Sequence, residues 1–154
     1  MHLHIIAIGT RMPAWVDAAF HDYAKRLRGT TVRLHEIEAA RRTKDANVAR
    51  VLADEGRRLL NTVPSDARVI ALDRAGRTLD TLQLADTMRV WQRDAQDIAL
   101  LIGGPEGLSE DCLAQATERW SLSALTLPHP LVRVVLAEQL YRAWSILERL
   151  PYHR

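Results

Sequence analysis

Short apolar runs alternate with helical patterns from one end of this chain to the other, and that alternation leaves few folds open. "LHIIAIG" (3–9) is apolar at Ile5, Ile6 and Ile8, on both faces of a strand. "PAWVDAAFHDYAKRLR" (13–28) follows at helical spacing, with Pro13 placed to start a helix and Trp15, Ala19, Tyr23 and Leu27 on one face. "TVRLHEIE" (31–38) alternates like a strand with one exposed face. A polar stretch leads to a helix over 47–62, whose Val48, Val51, Leu52, Glu55 and Leu59 keep helical spacing. "ARVIALD" (67–73) is a third strand and "RAGRTLD" a turn, closed by Asp80 as N-cap with Gln83 three residues on. A helix over 80–93, a strand "DIALLIGG" (97–104), a short helix "SEDCLAQAT" (109–117) capped by Ser109, a strand "WSLSALTL" (120–127) and a helix over 131–148 complete the series. Strands apolar on both faces, each followed by a helix, predict an α/β fold with a parallel sheet sandwiched by helices.

The chain has 154 residues, 47% of them hydrophobic and 26% charged, which suits one folded domain over 1–154 and excludes disordered and fibrous classes. Cys112 is the only cysteine, so no intrachain disulfide framework exists. "MHLHIIAIGTRMP" has no charged leader and no run is long enough to span a bilayer, so a cytoplasmic protein without membrane association is expected. A net charge of +2 permits a nucleic-acid partner without demanding one. The basic clusters Lys25/Arg26/Arg28 and Arg41/Arg42/Lys44 read as solvated surface more readily than as binding patches.

In open parallel sheets, ligands bind beyond the carboxyl ends of the strands, which directs attention to residues 73–79, 103–108 and 128–130. "LIGGPEGLS" places Gly103, Gly104 and Gly107 between a strand and a helix, where glycines let a ligand approach the backbone or simply make a tight turn. It is neither a phosphate-binding loop with Lys-Ser/Thr nor a dinucleotide fingerprint, and Glu106 in its middle would repel a polyphosphate. A cationic or zwitterionic adenosine compound such as S-adenosylmethionine fits the loop better than ATP. In "TLPHP", Pro128 and Pro130 stiffen the backbone, as a pocket wall made of carbonyls and amides requires, and His129 sits between them as a functional group or an ordinary turn histidine.

The last helix is apolar at 131, 132, 134–137, 140, 143, 144, 146 and 147, which covers most of its circumference. Such a helix is buried both by its own sheet and, in a small domain, by a second subunit. Glu138 and Arg142 are four apart and pair on one face, while Arg133 lies on another side. Tyr152, His153 and Arg154 in the terminal "PYHR" offer stacking, proton transfer and phosphate contacts, though a polar terminus often has no such duty. His2 and His4 share a strand face but lack acidic or cysteine partners at metal-ligand spacing, and no metal site is expected.

"LIGGPEGLS", "SLSALTLPHPLVRVVLAEQLYRAW", the terminal "PYHR" and "IAIGTRMPAWV" closely resemble the ribosomal large subunit methyltransferase H family of the SPOUT superfamily. The likeness runs end to end and is weakest across 39–66. The resemblance implies a C-terminal trefoil knot, a homodimer, S-adenosylmethionine as methyl donor, and methylation at N3 of a pseudouridine in helix 69 of 23S rRNA within the assembled ribosome. By similarity, donor-contacting positions are Leu72, Gly104, Ser123, Ala124, Leu125, Thr126, Leu127 and Pro128. An N3 imide must lose its proton, so the site needs a base or cations that stabilise the developing anion. His129, Arg142, Tyr152, His153 and Arg154 are the candidates, with Glu138 orienting Arg142 and a second chain's tail closing the site. Two further readings stay open on the residues alone: a non-catalytic ribosome-associated module, and a nucleotide-binding hydrolase that uses the glycine loop.

Overall fold

The computed structural model describes residues 1–154. Five strands, β1 (His2–Ile8), β2 (Thr31–Ile37), β3 (Arg68–Thr78), β4 (Ile98–Ile102) and β5 (Glu118–Ser121), form one sheet in the order β2-β1-β4-β3-β5, and every pairing is parallel. Five helices connect and cover them: α1 (Ala14–Ala24), α2 (Val48–Thr62), α3 (Thr81–Arg93), α4 (Glu110–Gln115) and α5 (His129–Leu147), with a final 3-10 turn, Pro151–His153.

The pleat sends alternate residues of β1 to opposite faces. Leu3, Ile5 and Ala7 join Phe20, Met88, Trp91, Leu136 and Leu140, so α1, α3 and α5 cover one face. Ile6 and Ile8 join Leu59 and Cys112, which places α2 and α4 on the other. Ile5 and Ile6 are adjacent and both fully buried, which only a sheet covered on both sides allows. Each such side chain stabilises the fold by roughly 1.5–3 kcal/mol.

Several boundaries differ from the sequence reading. Residues 74–78 of the turn expected over 74–80 belong to β3, which continues to Thr78 and pairs twice with Trp120 of β5, through Leu72 and again through Arg77. Gly76 makes this possible: a Cβ there would lie 2.6 Å from the carbonyl carbon of Arg119. β5 begins and ends earlier than expected, at Glu118 and Ser121, so 122–128 is irregular chain instead of strand. α1 buries Val16 and Phe20, one position round from the expected stripe, and Trp15 is 58% exposed. Phe20 carries the larger apolar area and takes the core position. Val48 is likewise exposed at the start of α2, whereas Glu55 is buried as its spacing on that helix implied. The expected caps hold: Asp80 and Gln83 form a reciprocal capping box on α3, and Ser109 Oγ accepts from the Cys112 amide on α4.

α5 leaves the sheet edge at β5 and returns to pack against both α1 and α3. Its apolar circumference is thereby explained largely within one chain. Leu136, Ala137, Leu140, Ala143 and Trp144 are buried, while Leu131, Val134 and Val135 stay half-exposed beside Glu138 and Arg142.

Candidate active site

A cavity of about 710 Å³ opens where β3, β4 and β5 end and α5 begins, within the size range of small-molecule sites. Three segments wall it: Leu72–Arg74, the glycine loop Ile102–Leu108, and 120–129. In the glycine loop, the Gly107 amide donates to the Gly104 carbonyl at 2.9 Å, and Gly107 has φ +86°, a left-handed conformation that glycine adopts without penalty. Gly103 packs against the backbone of Gly107, where no side chain fits. The side of Gly104 that a Cβ would occupy is already lined by Ile8, Arg42 and Glu55 at 3.2–3.5 Å.

The segment expected as the end of a strand is instead the cavity's wall. Ser123 folds it back: its carbonyl accepts from Ser121 Oγ at 3.0 Å and its hydroxyl accepts from the Leu125 amide at 2.9 Å. Pro128, in extended geometry at φ −64° and ψ 142°, then caps α5. Leu72, Gly104, Ser123, Leu125, Thr126, Leu127 and Pro128 all line the cavity. Ala124 does not, and faces solvent. Leu125, 77% exposed, offers the wall an apolar surface.

His129 is the first residue of α5 and also lines the cavity. It is held at the helix's first turn, with Pro130 following, so it lies inside the helix that the sequence reading began at 131. Its Nδ1 is buried without a protein partner, an orphaned polar atom at the cavity. Burial, followed by the nearby Arg133 and Arg42 charges, pushes its pKa below the usual imidazole value, so the ring is neutral at neutral pH.

Arg133, one turn on, is 1% exposed and was missed as a structural group. It donates to Glu36 Oε2 at 2.6 Å, to the Gly9 carbonyl at 2.6 Å and to the Ile8 carbonyl at 3.3 Å, tying α5 to the ends of β1 and β2. The lone arginine in the run "PLVRVVLAEQL" was the available signal, since a charge on an all-apolar helix needs a buried partner.

The other candidates gather at the far end of α5. Arg142 donates from Nε to Glu138 Oε1 at 2.8 Å and lies 4.8 Å from the centre of the Tyr152 ring. Tyr152 donates to the same carboxylate oxygen at 3.1 Å. Burial, then hydrogen bonding with Tyr23 and Glu138, pushes the Tyr152 phenol up to about 12, so it remains protonated and acts as a donor. Tyr23 and Tyr141 pack into this cluster and were not anticipated. His153 is exposed, with Nδ1 at 2.8 Å from the Leu150 carbonyl, and Arg154 is exposed at the terminus. Thirteen residues separate His129 from Arg142 on one helix, and at about 1.5 Å per residue that is roughly 20 Å. The six candidates thus form two groups at opposite ends of α5, and one chain does not bring them together.

A third group was not foreseen. Arg42 donates to Glu55 at 3.1 and 3.2 Å and to Glu106 at 3.1 Å, linking the polar segment before α2 to the glycine loop. Glu55 is 2% exposed and also accepts from the Ala40 amide at 3.0 Å. No cluster of His, Cys, Asp or Glu is arranged to hold a metal; His2 pairs with Asp97, and His4 with His35. No helix is long and apolar enough to cross a membrane.

A family model described as "Predicted SPOUT methyltransferase" matches residues 1–153. Three relatives bear the description "Ribosomal RNA large subunit methyltransferase H". That of Thioalkalivibrio sulfidiphilus is 52% identical, over 100% of this chain and 99% of its own. Those of Methylococcus capsulatus and Saccharophagus degradans are 48% and 52% identical, each over the full length of both chains.

Proposed function

This chain belongs to the ribosomal RNA large subunit methyltransferase H family of SPOUT methyltransferases, and from that premise we propose that it methylates N3 of a pseudouridine in helix 69 of 23S rRNA on the assembled ribosome. The observation that carries the reading is the cavity at the carboxyl ends of β3, β4 and β5, walled by the glycine loop and by apolar and polar side chains and edged by the orphaned Nδ1 of His129. S-adenosylmethionine bound there supplies an electrophilic methyl group. Leu72, Gly104, Ser123 and Leu125 through Pro128 hold the donor, with Ala124 serving only to join them.

Transfer forms the N3–CH3 bond, breaks the S–CH3 bond and releases the N3 proton. We assign acceptance of that proton to His129, which lines the cavity and is neutral at neutral pH. Arg142, held by Glu138, presents a fixed positive charge to the developing anion, and the Tyr152 hydroxyl stays a hydrogen-bond donor. His153 and Arg154, unburied at the chain end, reach the RNA backbone. Because the two groups stand at opposite ends of α5, we assign the site to a homodimer that sets the tail of one chain over the cavity of the other. The half-exposed Leu131, Val134 and Val135 supply an apolar face for that contact. We assign the trefoil knot to the return of α5 from the sheet edge to its place against α1 and α3.

Mixing two defective forms tests the composite site. His129→Ala and a chain lacking Pro151–Arg154 should each fail to methylate ribosomes, and the truncated chain should still bind the donor. Refolded or coexpressed together, they should regain activity, because one site of each mixed dimer then has an intact His129 and an intact tail. A mixture as inactive as its components, with mixed dimers demonstrated, refutes the shared site.

A further inference from the structure

We propose that Arg42, Glu55 and Glu106 make the cavity selective for a cationic ligand over a neutral one of the same shape, and so favour the sulfonium donor over its thioether product. The inference rests on the donor assigned above. Methyl transfer removes one positive charge from the bound ligand while leaving its adenosine and amino-acid parts unchanged. A wall that senses that charge holds the substrate and releases the product.

The charges around the cavity support such a wall. Two carboxylates share one guanidinium: Arg42 donates through Nη1 and Nη2 to Glu55 and through Nε and Nη2 to Glu106. The cluster stands directly behind Gly104, with Arg42 Nη2 3.3 Å and Glu55 Oε1 3.5 Å from the place of its missing Cβ, while Glu106 itself lines the cavity. The remaining formal charges sum to zero. Asp73 and Arg74 lie side by side on the cavity's β3 wall, and Arg133, behind His129, is paired with Glu36. One carboxylate is therefore left unbalanced, and it belongs to this cluster. Hydrogen bonding from Arg42 holds Glu106 below the usual carboxylate range, so its charge persists at neutral pH. Burial of Glu55 keeps water from screening the field.

The magnitude follows from Coulomb's law. A sphere of the cavity's volume of about 710 Å³ is about 11 Å across, and a unit charge over that distance at an effective dielectric of about 20 changes relative affinity about tenfold. Glu106 has 30% of its side chain exposed, and the solvent there lowers the expected effect to about three- to tenfold.

Isothermal titration calorimetry on the full chain, with S-adenosylmethionine and S-adenosylhomocysteine as probes, reads the ratio of the two dissociation constants. Glu106→Gln should shift that ratio about three- to tenfold toward the product. Arg42→Gln, which leaves both carboxylates uncompensated, should shift it the opposite way. A purely structural role for the cluster alters both affinities together and leaves the ratio untouched. If both variants bind the two ligands at the wild-type ratio, or shift it in the same direction, the inference is overturned. If the wild-type chain binds neither ligand, the donor assignment fails and takes this inference with it.

Discussion

Replacing Arg133 with methionine should cost this protein a substantial part of its stability, because the arginine closes the joint between α5 and two strands. The side chain is 1% exposed, and its guanidinium satisfies Glu36 and the carbonyls of Ile8 and Gly9. Methionine keeps much of the apolar volume but leaves those carbonyls at the end of β1 without their donor. Each carbonyl deprived of its partner costs about 1–3 kcal/mol, the more so for the 2.6 Å bond to Gly9. Glu36 is 34% exposed and recovers water, which limits its share. The net loss should be about 3 kcal/mol, out of a total of roughly 5–15 kcal/mol for a domain of this kind. In melting temperature that is roughly 6–12 °C. Urea denaturation monitored by tryptophan fluorescence measures it, and Glu36→Gln should cost about 1 kcal/mol by the same assay. A second readout comes from His129, whose pKa is lowered first by burial and then by Arg133. Its ring should titrate closer to the ordinary imidazole value in the Arg133→Met protein, as followed by NMR. A stability loss below about 1 kcal/mol together with an unmoved His129 titration would refute the role given to Arg133.

Acid should weaken the fold before carboxylates are involved. His4 and His129 are both held below the usual imidazole value, chiefly by burial, so near pH 6.5 the unfolded chain takes up protons that the folded chain does not. Stability should therefore fall as pH drops through about 6.5 and level off below the folded-state values, with a shallower slope in His129→Gln, as urea midpoints at several pH values will report. Gly76→Ala should force β3 and β5 apart, since its Cβ would lie 2.6–2.7 Å from backbone atoms of Arg119 and Trp120. A loss of about 1–3 kcal/mol is expected, along with weaker donor binding because β5 leads into the cavity wall; full stability in that variant contradicts the close strand contact.

The sheet, its covering helices and two of the helix caps were legible in the chain because they depend on local pattern: both-face apolar strands, helical spacing, and Asp80 three residues before Gln83. The location of the cavity was legible for the same reason, since strand ends and Gly/Pro turns mark it. What the pattern hid were features set by distant contacts. β3 runs on through Gly76 only because β5 lies against it, and the segment after Ser121, apolar enough to read as strand, lies beyond that strand pairing. The apolar circumference of α5 pointed to a second subunit, yet α1 and α3 account for most of it. Arg42, Glu55 and Glu106 are 13 and 51 residues apart along the chain, and no spacing rule joins them. Glu55 was visible on the apolar face of its helix, and a buried carboxylate there demands a partner. The family resemblance supplied the chemistry, which no periodicity encodes.

Methyl transfer to N3 of a helix 69 pseudouridine, proposed above, can be followed by mass spectrometry of helix 69 fragments from ribosomes of cells lacking this protein, before and after incubation with the purified chain and S-adenosylmethionine. The expected result is a pseudouridine without its methyl group that gains one methyl at N3 on incubation. A fragment already methylated in cells lacking the protein, or one that gains nothing from the purified enzyme, contradicts it.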